Sequence, residues 1–454
     1  MRCVNEVVFL AFVILFMCLP VAFAGTVGFF SQDWTSQAYY IISPGALDVV
    51  GQIAYFGSHY TGPPLTNFLY AVNITTGDTI WRYNTGLPIN YVSNFTYNNS
   101  TYIIAGTGDP TILPTYGGYV LARTQENGTW WNSTNLGSSV QSLGAVGSGV
   151  ENGEDVMAGL ANGQVVRLSG GNGSIEWRYS CAGNITANIV PNIVQLDNGS
   201  VAVGTSNVNT GQSYIYSFKK NGTLAWDYPL KINIQLHLIK RLGNLNEVVV
   251  AFGDTIDVRN GTTGAEIWSQ PFNTTQHVAP YTVTQLVTDL LCTEDYTGDG
   301  FPDIVAGTDG GFLMIINGQN GTLFKESTQI SYTLSYIQYM YSYETGVPLL
   351  NKTLAVSIET SSYSYYIYGV NASDLTVENK FPVPESFATA NLVSTPNSTS
   401  YTGDLLFSAY NVVYFISGTE IIVSEFPSQI MLVIVILASL ISIMISKRHK
   451  SRIK

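Results

Sequence analysis

The segment TIDVRNGTTGAEIWSQ, residues 255–270, has the pattern of a β-hairpin. Its two arms are rich in β-forming residues, the turn between them contains glycine, and Trp268 lies on the second arm. The pattern returns in LYAVNITTGDTIWRYNTG (69–86), YVLARTQENGTWWNS (119–133), VVRLSGGNGSIEWRYS (165–180), YIYSFKKNGTLAWDY (214–228) and FLMIINGQNGTLFKES (312–327), with degenerate copies in YYIYGVNASDLTVENKF (365–381) and NVVYFISGTEIIVSEF (411–426). A hairpin repeated so regularly predicts a repeat protein built from β-sheets.

A short apolar strand precedes each hairpin. Examples are TYIIAGT (101–107), EVVVAFG (247–253) and PDIVAGT (302–308), most of them with a small residue near the end. A further apolar stretch before it, such as YTVTQLVTDLL (281–291), raises the count to four strands per repeat. Four-stranded units stacked radially form a β-propeller. We therefore predict an all-β propeller over residues 25–425, with eight antiparallel blades of four strands; seven blades with a stray hairpin is the alternative.

The repeat also carries a family resemblance. The pattern Tyr-Ala-Val, then Thr-Gly, then Trp, seen in residues 70–81, resembles the PQQ-like propeller repeat of quinoprotein dehydrogenases, outer-membrane assembly lipoproteins and many surface proteins. The run DYTGDGFPDIVAG (295–307) is similar to an FG-GAP repeat, another propeller blade. The resemblance implies the fold but leaves the activity open, because one fold hosts many activities. The tryptophans of the hairpins, Trp81, Trp177, Trp226 and Trp268, are expected to pack between blades.

The FG-GAP-like run has the ligand spacing of a calcium loop. Oxygen side chains alternate around a glycine that permits a sharp bend, as in short loops that wrap Ca²⁺. No Glu follows at the twelfth position, so the loop differs from an EF-hand and closes early. We predict a structural calcium in the connection between the first two strands of blade six; an empty polar turn is the alternative. The predicted ligand set is Asp295, Thr297, Asp299, Phe301 and Asp303.

The two ends of the chain read as membrane-targeting segments. Residues 1–24 contain an apolar run followed by the small-residue site Ala22-Phe23-Ala24, the pattern of a signal peptide. Residues 426–446 carry no charge and are long enough to cross a bilayer as one helix. The tail 447–454 is basic, and basic flanks stay cytoplasmic. We therefore predict a propeller on the outside of the cell, anchored in the membrane by a single C-terminal span.

The sequence around this span resembles the PEF-type sorting tails of archaeal surface proteins. SEFPSQIM, the apolar run and KRHK carry the resemblance, although Ser424 replaces the usual proline. It implies a cell-surface protein of an archaeal envelope, and the serine leaves cleavage of the tail open.

Charge and cysteine content limit the function further. The formal net charge is −12, although the last eight residues are basic, so the chain is not suited to neutralise phosphates and nucleic acid is not an expected partner. Cys181 and Cys292 lie outside the terminal segments. An exported pair is able to form a disulfide, and two free buried thiols is the alternative.

The sequence does not contain the vicinal cysteine pair that many quinoprotein dehydrogenases hold over their cofactor. The acidic residues are spread along turns, and no nucleophile–base motif is present. Pyrroloquinoline quinone is therefore not an expected cofactor, and no catalytic residue is predicted.

Asn-x-Ser/Thr sequons are numerous, and they are acceptors for N-glycans in exported proteins. By the repeat alignment they concentrate in the turns between strands A and B and between strands C and D, counted from the propeller axis outward, which share one face. The last strand, IIVSEF (421–426), is expected to run away from that face and enter the bilayer, so we expect the sequon-rich face to point away from the membrane. The predicted glycosylation sites are Asn73, Asn98, Asn127, Asn172, Asn198, Asn221, Asn260, Asn320, Asn351, Asn371 and Asn397.

Together these features predict a membrane-anchored extracellular propeller. It would act, without catalysis, as a binding or structural module of the cell envelope, with envelope proteins or glycans as partners. A quinone-dependent oxidoreductase of the quinoprotein type is the alternative.

Overall fold

The computed structural model shows an all-β chain with one 3₁₀ turn, Asp197–Gly199, among the residues it describes. These are residues 27–38, 41–60, 66–109, 117–147, 153–181, 193–207, 212–230, 236–272, 277–278, 281–282, 286–292, 294–308, 311–328, 330, 336–343, 353–359, 365–372, 374–383, 392–394, 404–409 and 412–421. The chain divides into a unit of residues 30–419 and a unit made of both ends, 1–29 and 420–454. The predicted signal peptide, membrane span and basic tail lie outside the described residues. Within the described residues, no helix is long and apolar enough to cross a membrane.

The described strands form eight four-stranded sheets, which we call blades one to eight. Blades one to four are β2–β5 (Ile41–Val50, Ile53–His59, Phe68–Asn73, Thr79–Asn84), β6–β9 (Ile89–Tyr97, Ser100–Thr107, Val120–Arg123, Thr129–Asn132), β10–β13 (Val140–Gly147, Glu154–Leu160, Gln164–Leu168, Ile175–Ser180) and β14–β17 (Ile193–Gln195, Val201–Asn207, Gln212–Phe218, Leu224–Pro229). Blades five to seven are β18–β21 (Leu236–Arg241, Glu247–Phe252, Thr255–Asn260, Glu266–Pro271), β24–β27 (Val287–Leu291, Ile304–Thr308, Leu313–Ile316, Leu323–Glu326) and β28–β31 (Tyr336–Tyr343, Thr353–Glu359, Tyr365–Asn371, Val377–Val383). In each of these seven, consecutive strands pair antiparallel, as the hairpin pattern predicts.

Blade eight is made from both ends of the chain. Its order is β1-β34-β33-β32, so the N-terminal strand β1 (Val27–Gln37) lies beside β34 (Val412–Ile421), followed by β33 (Asp404–Ala409) and β32 (Leu392–Ser394). The predicted hairpin at 411–426 is wrong, because β34 runs on through residues 417–421 where a turn was expected. The structure thus places the N-terminal segment as the fourth strand of this blade.

The first strand of blade six is shorter than expected. Of the apolar stretch 281–291, only β24 (Val287–Leu291) joins the blade. Tyr281–Thr282 (β23) instead pairs with His277–Val278 (β22) in a separate two-stranded ladder. An apolar run sets β-propensity but not the partner, which depends on where the preceding connection places the backbone.

The first strands of successive blades contact one another along the whole series, and β32 of blade eight contacts β2 of blade one. Small residues on the second strands permit this approach. A Cβ on Gly57 would lie 2.2 Å from Ile89 Cγ2 of the next blade, and one on Gly106 would lie 2.6 Å from Val140 Cγ1. The small residue noted in the sequence is therefore required by blade-to-blade packing.

The tryptophans of the hairpins join neighbouring blades, as predicted. Each indole N–H donates to a carbonyl oxygen in the C–D turn of the next blade, at 2.7–2.9 Å, in the pairs Trp81–Gln125, Trp131–Gly170, Trp177–Lys220, Trp226–Gly261 and Trp268–Gly318. The ring also covers a turn glycine: a Cβ on Gly264 would lie 2.7 Å from Trp226 Cδ2. Trp131, which the repeat comparison did not single out, plays the same part.

The joint between blades six and seven is built differently. Lys325 stands at the tryptophan position of blade six, opposite Ile315. The turn it faces carries Leu375 instead of glycine, with φ of 58° and 3% exposure. Hydrogen bonds from Thr376 lower the pKa of Asp374 in the same turn, burial opposes them, and the Lys325 ammonium adds a smaller lowering effect. Where the indole is lost, the glycine that accommodates it is lost as well.

Candidate functional site

The predicted calcium loop connects β24 to β25, the first two strands of blade six, as expected. Asp303 is fully buried, and its Oδ2 accepts hydrogen bonds from the main-chain N–H groups of Tyr296 (2.7 Å) and Thr297 (2.6 Å). Its Oδ1 accepts from Gly318 N–H (3.1 Å) and from the Thr297 hydroxyl (3.3 Å). Asp303 thus ties the loop to the C–D turn of its own blade.

The other two carboxylates of the loop also accept from protein donors. Asp295 accepts from the N–H groups of Gly298 (2.6 Å) and Gly300 (2.8 Å). Asp299 accepts from Phe301 N–H (2.8 Å) and from the Asn317 side-chain amide. These donors offset part of the mutual repulsion of the three carboxylates. Among the described residues, no group of three His, Cys, Asp or Glu side chains is arranged to hold a metal. Structural calcium in this loop stays a prediction.

Burial raises the pKa of Asp303, against the opposing effect of hydrogen bonds from Thr297, Gly318 and Tyr296. The same position in blade three is Asp155, whose Oδ1 accepts from Gly170 N–H (3.1 Å). The equivalence of these carboxylates shows that the aspartate at this position supports the blade, whether or not a metal is bound.

Most predicted glycosylation sites occupy turns, as the repeat alignment predicts. Asn73, Asn127, Asn172, Asn221, Asn260, Asn320 and Asn371 lie at C–D connections, and Asn98 and Asn198 at A–B connections. Asn351 and Asn397 are outside the described residues.

The turn geometry gives the asparagines of these sequons a structural role. The Oδ1 atoms of Asn172, Asn221 and Asn320 accept the N–H of the residue two positions on, at 2.9–3.1 Å. Such Asx turns favour asparagine on conformational grounds alone. Asn371 is only 6% exposed, which disfavours a glycan there. Occupancy at the other sites stays a prediction.

The described part of the structure does not contain the final strand on which the predicted orientation of the sequon-rich face depends. It required a final strand at 421–426 that ends on the opposite face. Instead, Ser417 near the end of β34 pairs with Asp404, the first residue of β33. Strand β34 therefore ends beside the connection from β32 to β33, on the side of the A–B turns.

The remaining polar and thiol groups do not assemble into one site. Cys181 and Cys292 are free and buried, and burial raises the pKa of each thiol to about 12. His59 is partly buried beside Asp109 and Asn90, and burial lowers its pKa. The side chains of the tyrosine-rich strand β28 and of residues 361–365 lie outside the described part of the structure.

A surface cavity of about 620 Å³ opens among the A–B and C–D turns of blades three to five. The sequence analysis did not predict it. Its wall is made of hydroxyl, amide and charged side chains with one indole: Glu176, Trp177, Asp197, Asn198, Ser200, Ser217, Lys219, Lys220, Asn221, Ala225, Asn246, Gly261 and Thr262. Ser217 is fully buried, and its Oγ has no hydrogen-bond partner in the described residues.

Two arginines lie beside the carboxylates of this cavity. Arg241 lies 2.8 Å from Asp197, and Arg167, which also pairs with Asp155, lies 3.2 Å from Glu176. Asn246 is held in place, since its Oδ1 accepts the Asp197 N–H (3.0 Å) and its Nδ2 donates to the Thr262 hydroxyl (2.8 Å). The cavity therefore has a pre-formed, hydrogen-bonded wall, which is typical of small-molecule sites.

A signal for the cavity exists in the sequence, but only once the strand register is known. Ser217 pairs with Trp226 as Arg167 pairs with Trp177. Aligned in this register, blade four has small residues where blade three has large charged ones. Hydrophobic patterning alone does not reveal such a difference.

Comparison with known proteins supports the assignment of the fold. Residues 117–297 match the PQQ-like family described as outer membrane protein assembly factor BamB. No curated protein matches the chain. BamB from Moraxella catarrhalis is 14% identical and superposes with a TM-score of 0.52, covering 86% of this chain and 99% of that one.

Two further solved structures share the fold. A europium-containing methanol dehydrogenase is 12% identical, with a TM-score of 0.57 over 86% of this chain and 93% of its own. The C-terminal WD40 domain of Sif2 is 10% identical, with a TM-score of 0.56 over 87% of this chain and 99% of its own. At such low identity these likenesses establish the fold and not the activity.

Proposed function

Because the chain is a β-propeller of the PQQ-like repeat type, we propose that it is an extracellular, membrane-anchored binding module of the cell envelope and that it does not catalyse a reaction. The observation that carries the proposal is the polar cavity among the turns of blades three to five. Turns on a rigid sheet scaffold are where propellers and other β-folds place their binding groups. The match to an envelope assembly factor and the signal and span patterns of the sequence agree with this location.

We further propose that the ring contains eight blades. The support is the unbroken series of contacts between first strands, from blade one through blade eight and back to blade one. In such a ring each blade packs between two neighbours, so the scaffold has little freedom to deform. A binding surface on it is pre-organised, which lowers the entropic cost of association.

Co-sedimentation tests this function. The purified full-length protein is mixed with washed envelope vesicles from cells that lack it. Saturable binding that competes with unlabelled protein is expected. Binding to phospholipid vesicles alone, at the same level, would indicate that only the predicted span attaches, and would contradict the proposal.

The quinoprotein alternative is tested on the same preparation. Pyrroloquinoline quinone and Ca²⁺ are added, unbound cofactor is removed, and dye reduction with simple alcohols is followed. Retained quinone with turnover would replace the binding proposal by an oxidoreductase.

A further inference from the structure

The repeat register shows why the cavity exists. In blade three, Arg167 lies opposite Trp177 and fills the space toward blade four. Its guanidinium donates to Asp155 (2.8 Å), to Gly147 O (2.8 Å) and, in blade four, to Gly199 O (3.2 Å) and Lys220 O (3.3 Å). A buried charge is tolerated there because each of its nitrogens has an acceptor.

Blade four does not have an arginine at this position. The residue opposite its tryptophan is Ser217. Met157 pairs with Arg167, and Ala202 pairs with Ser217, so Ser200 occupies the place of Asp155. Likewise Ala225, which precedes Trp226, occupies the place of Glu176, which precedes Trp177. Three small residues replace an arginine and two carboxylates, and the vacated space forms part of the cavity among blades three to five.

The groups left in this space call for a ligand rich in hydroxyls. Ser217 Oγ is buried without a hydrogen-bond partner in the described part of the chain, and an unpaired buried hydroxyl is unfavourable unless something bonds to it. Around it stand the hydroxyls of Ser200 and Thr262 and the side-chain amides of three asparagines, while Trp177 contributes an aromatic wall. Hydroxyls and amides both donate and accept, as sugar hydroxyls do, and an indole offers apolar area for the face of a pyranose ring.

The charges at the rim select among sugars. Asp197 and Glu176 are paired with Arg241 and Arg167. Lys219 and Lys220 are exposed and add two positive charges on an otherwise acidic chain. Lys220 also lies near Glu176, whereas Lys219 is the lysine that faces solvent at the cavity without a carboxylate partner among the described residues. A carboxylate on the ligand would complement Lys219.

We propose that the cavity among the turns of blades three to five binds a saccharide that carries a carboxylate, with Ser217 bonding a sugar hydroxyl and Lys219 facing the acid group. The inference rests on the proposed binding function and names its ligand class. Asn198 and Asn221 line the same cavity, so a glycan on either would compete with the ligand. The protein is therefore produced in a host without N-glycosylation.

Titration calorimetry on the full-length protein tests the inference. The probes are digalacturonic acid, a glucuronic-acid disaccharide and their carboxyl-reduced neutral counterparts. At least one acidic probe is expected to bind, and its reduced counterpart at least about tenfold more weakly, the effect shrinking at high salt because the lysine contact is exposed. Failure of both acidic probes, or equal binding of acidic and neutral probes, would overturn the inference.

Three variants locate the site. Ser217→Ala removes a hydroxyl that bonds nothing in the free protein, so the melting temperature should not change while affinity falls about five- to tenfold. Lys219→Ala should weaken the binding of the acidic probes only. Arg178 is an exposed cation of blade three that donates to Gln164 (3.0 Å). The variant Arg178→Ala is therefore the matched control and should leave the binding of all probes unchanged. The double variant Ser217→Arg/Ser200→Asp rebuilds the blade-three pair and should abolish binding.

The outcomes separate this inference from the proposed function. Undiminished binding in Ser217→Ala, or in a folded Ser217→Arg/Ser200→Asp protein, would place the ligand elsewhere and overturn the inference. If the wild type ignores both acidic probes yet still co-sediments with envelopes, the inference fails and the function stands. If an acidic probe binds but envelopes do not, the cavity assignment stands and the envelope function fails.

Discussion

At the scale of single residues, the same chemistry recurs with different outcomes. Asp155 and Asp303 occupy equivalent positions, and both accept the N–H of a C–D turn glycine. Asp155 also neutralises Arg167, whereas Asp303 organises a loop through the N–H groups of residues 296 and 297. A buried carboxylate is retained where several donors satisfy it, so its role is set by the partners the register supplies.

Calcium is expected to raise the melting temperature of the full-length protein, and Asp299→Ala to remove that rise. Asp299 is exposed and makes few contacts, so its loss should cost little stability without the metal. Asp303→Ala is the contrasting variant: it should destabilise by about 3 kcal/mol with or without calcium, because it leaves buried N–H groups unpaired. Scanning calorimetry with and without chelator measures both effects. If the melting temperature of the wild type does not change in chelator, the calcium prediction is wrong.

His59 is expected to make folding pH-dependent. Burial lowers its pKa below the ordinary 6.5, so below that pH the unfolded chain takes up a proton that the folded chain does not. Its contribution to stability is therefore complete above pH 6.5 and declines as the pH falls toward the lowered folded value. Chemical denaturation at pH 7.5 and pH 5.5 should show a loss of stability that is smaller in His59→Gln. The same loss in both proteins would assign the effect to other groups.

At the scale of the element, the hairpin turn serves two blades. Its glycine provides a left-handed backbone, and the absence of a Cβ admits the tryptophan of the preceding blade. The indole N–H then satisfies a carbonyl in the same turn. In blades three to six one recurring geometry thus closes the hairpin and joins it to its neighbour. The turn of blade two, which faces Trp81, has Asn127 at the left-handed position, and that of blade seven, which faces Lys325, has Leu375.

Gly264→Ala is expected to be more destabilising than Gly86→Ala. The two glycines have nearly the same φ, 71° and 70°, but a Cβ on Gly264 would lie 2.7 Å from Trp226 and one on Gly86 would meet nothing within 4 Å. Both variants should lose about 1 kcal/mol for the backbone conformation, and Gly264→Ala about 1–3 kcal/mol more for overpacking. Urea unfolding measures the difference. Equal losses would mean that the indole moves away at little cost.

At the scale of the whole molecule, the two ends of the chain share one blade. Strand β1 takes the fourth place beside β34, so blade eight is completed only when residues far apart in sequence meet. Leu406, Val413 and Phe415 of blade eight lie in one hydrophobic cluster with Ala46 and Leu47 of blade one. Closure of this kind couples the N-terminal segment to the stability of every blade.

Removal of β1 is expected to destabilise the protein strongly. A chain beginning at residue 38 exposes the edge of β34, which should lower the melting temperature by at least about 10 °C and promote association through the free edge. A chain beginning at residue 25 keeps β1 and is the control. Thermal melts with light scattering compare the two. Equal melts would show that blade eight does not need its fourth strand.

Local sequence patterns were enough to predict that the chain is built from a repeated hairpin. Hairpin spacing, turn glycines and the position of tryptophan follow from local propensity and from a contact that every blade repeats, so the fold class, most strand positions, the tryptophan joints and the turn location of most sequons could be read directly. The sequence also singled out Asp303 as a calcium ligand; that role stays a prediction, and in the structure its partners are N–H groups and a hydroxyl of its own loop and turn.

Features that depend on the register of the strands and on the completion of blade eight could be seen only in the tertiary structure. A one-residue shift in register changes which side chains share a face, so the equivalence of Ser217 to Arg167, and hence the cavity, was not visible in the chain. The partner of β34 was likewise undetermined, because both a local strand and β1 offer the same backbone hydrogen bonds. Local pattern specifies an element, but the choice between equivalent partners is made by the packing of the whole ring.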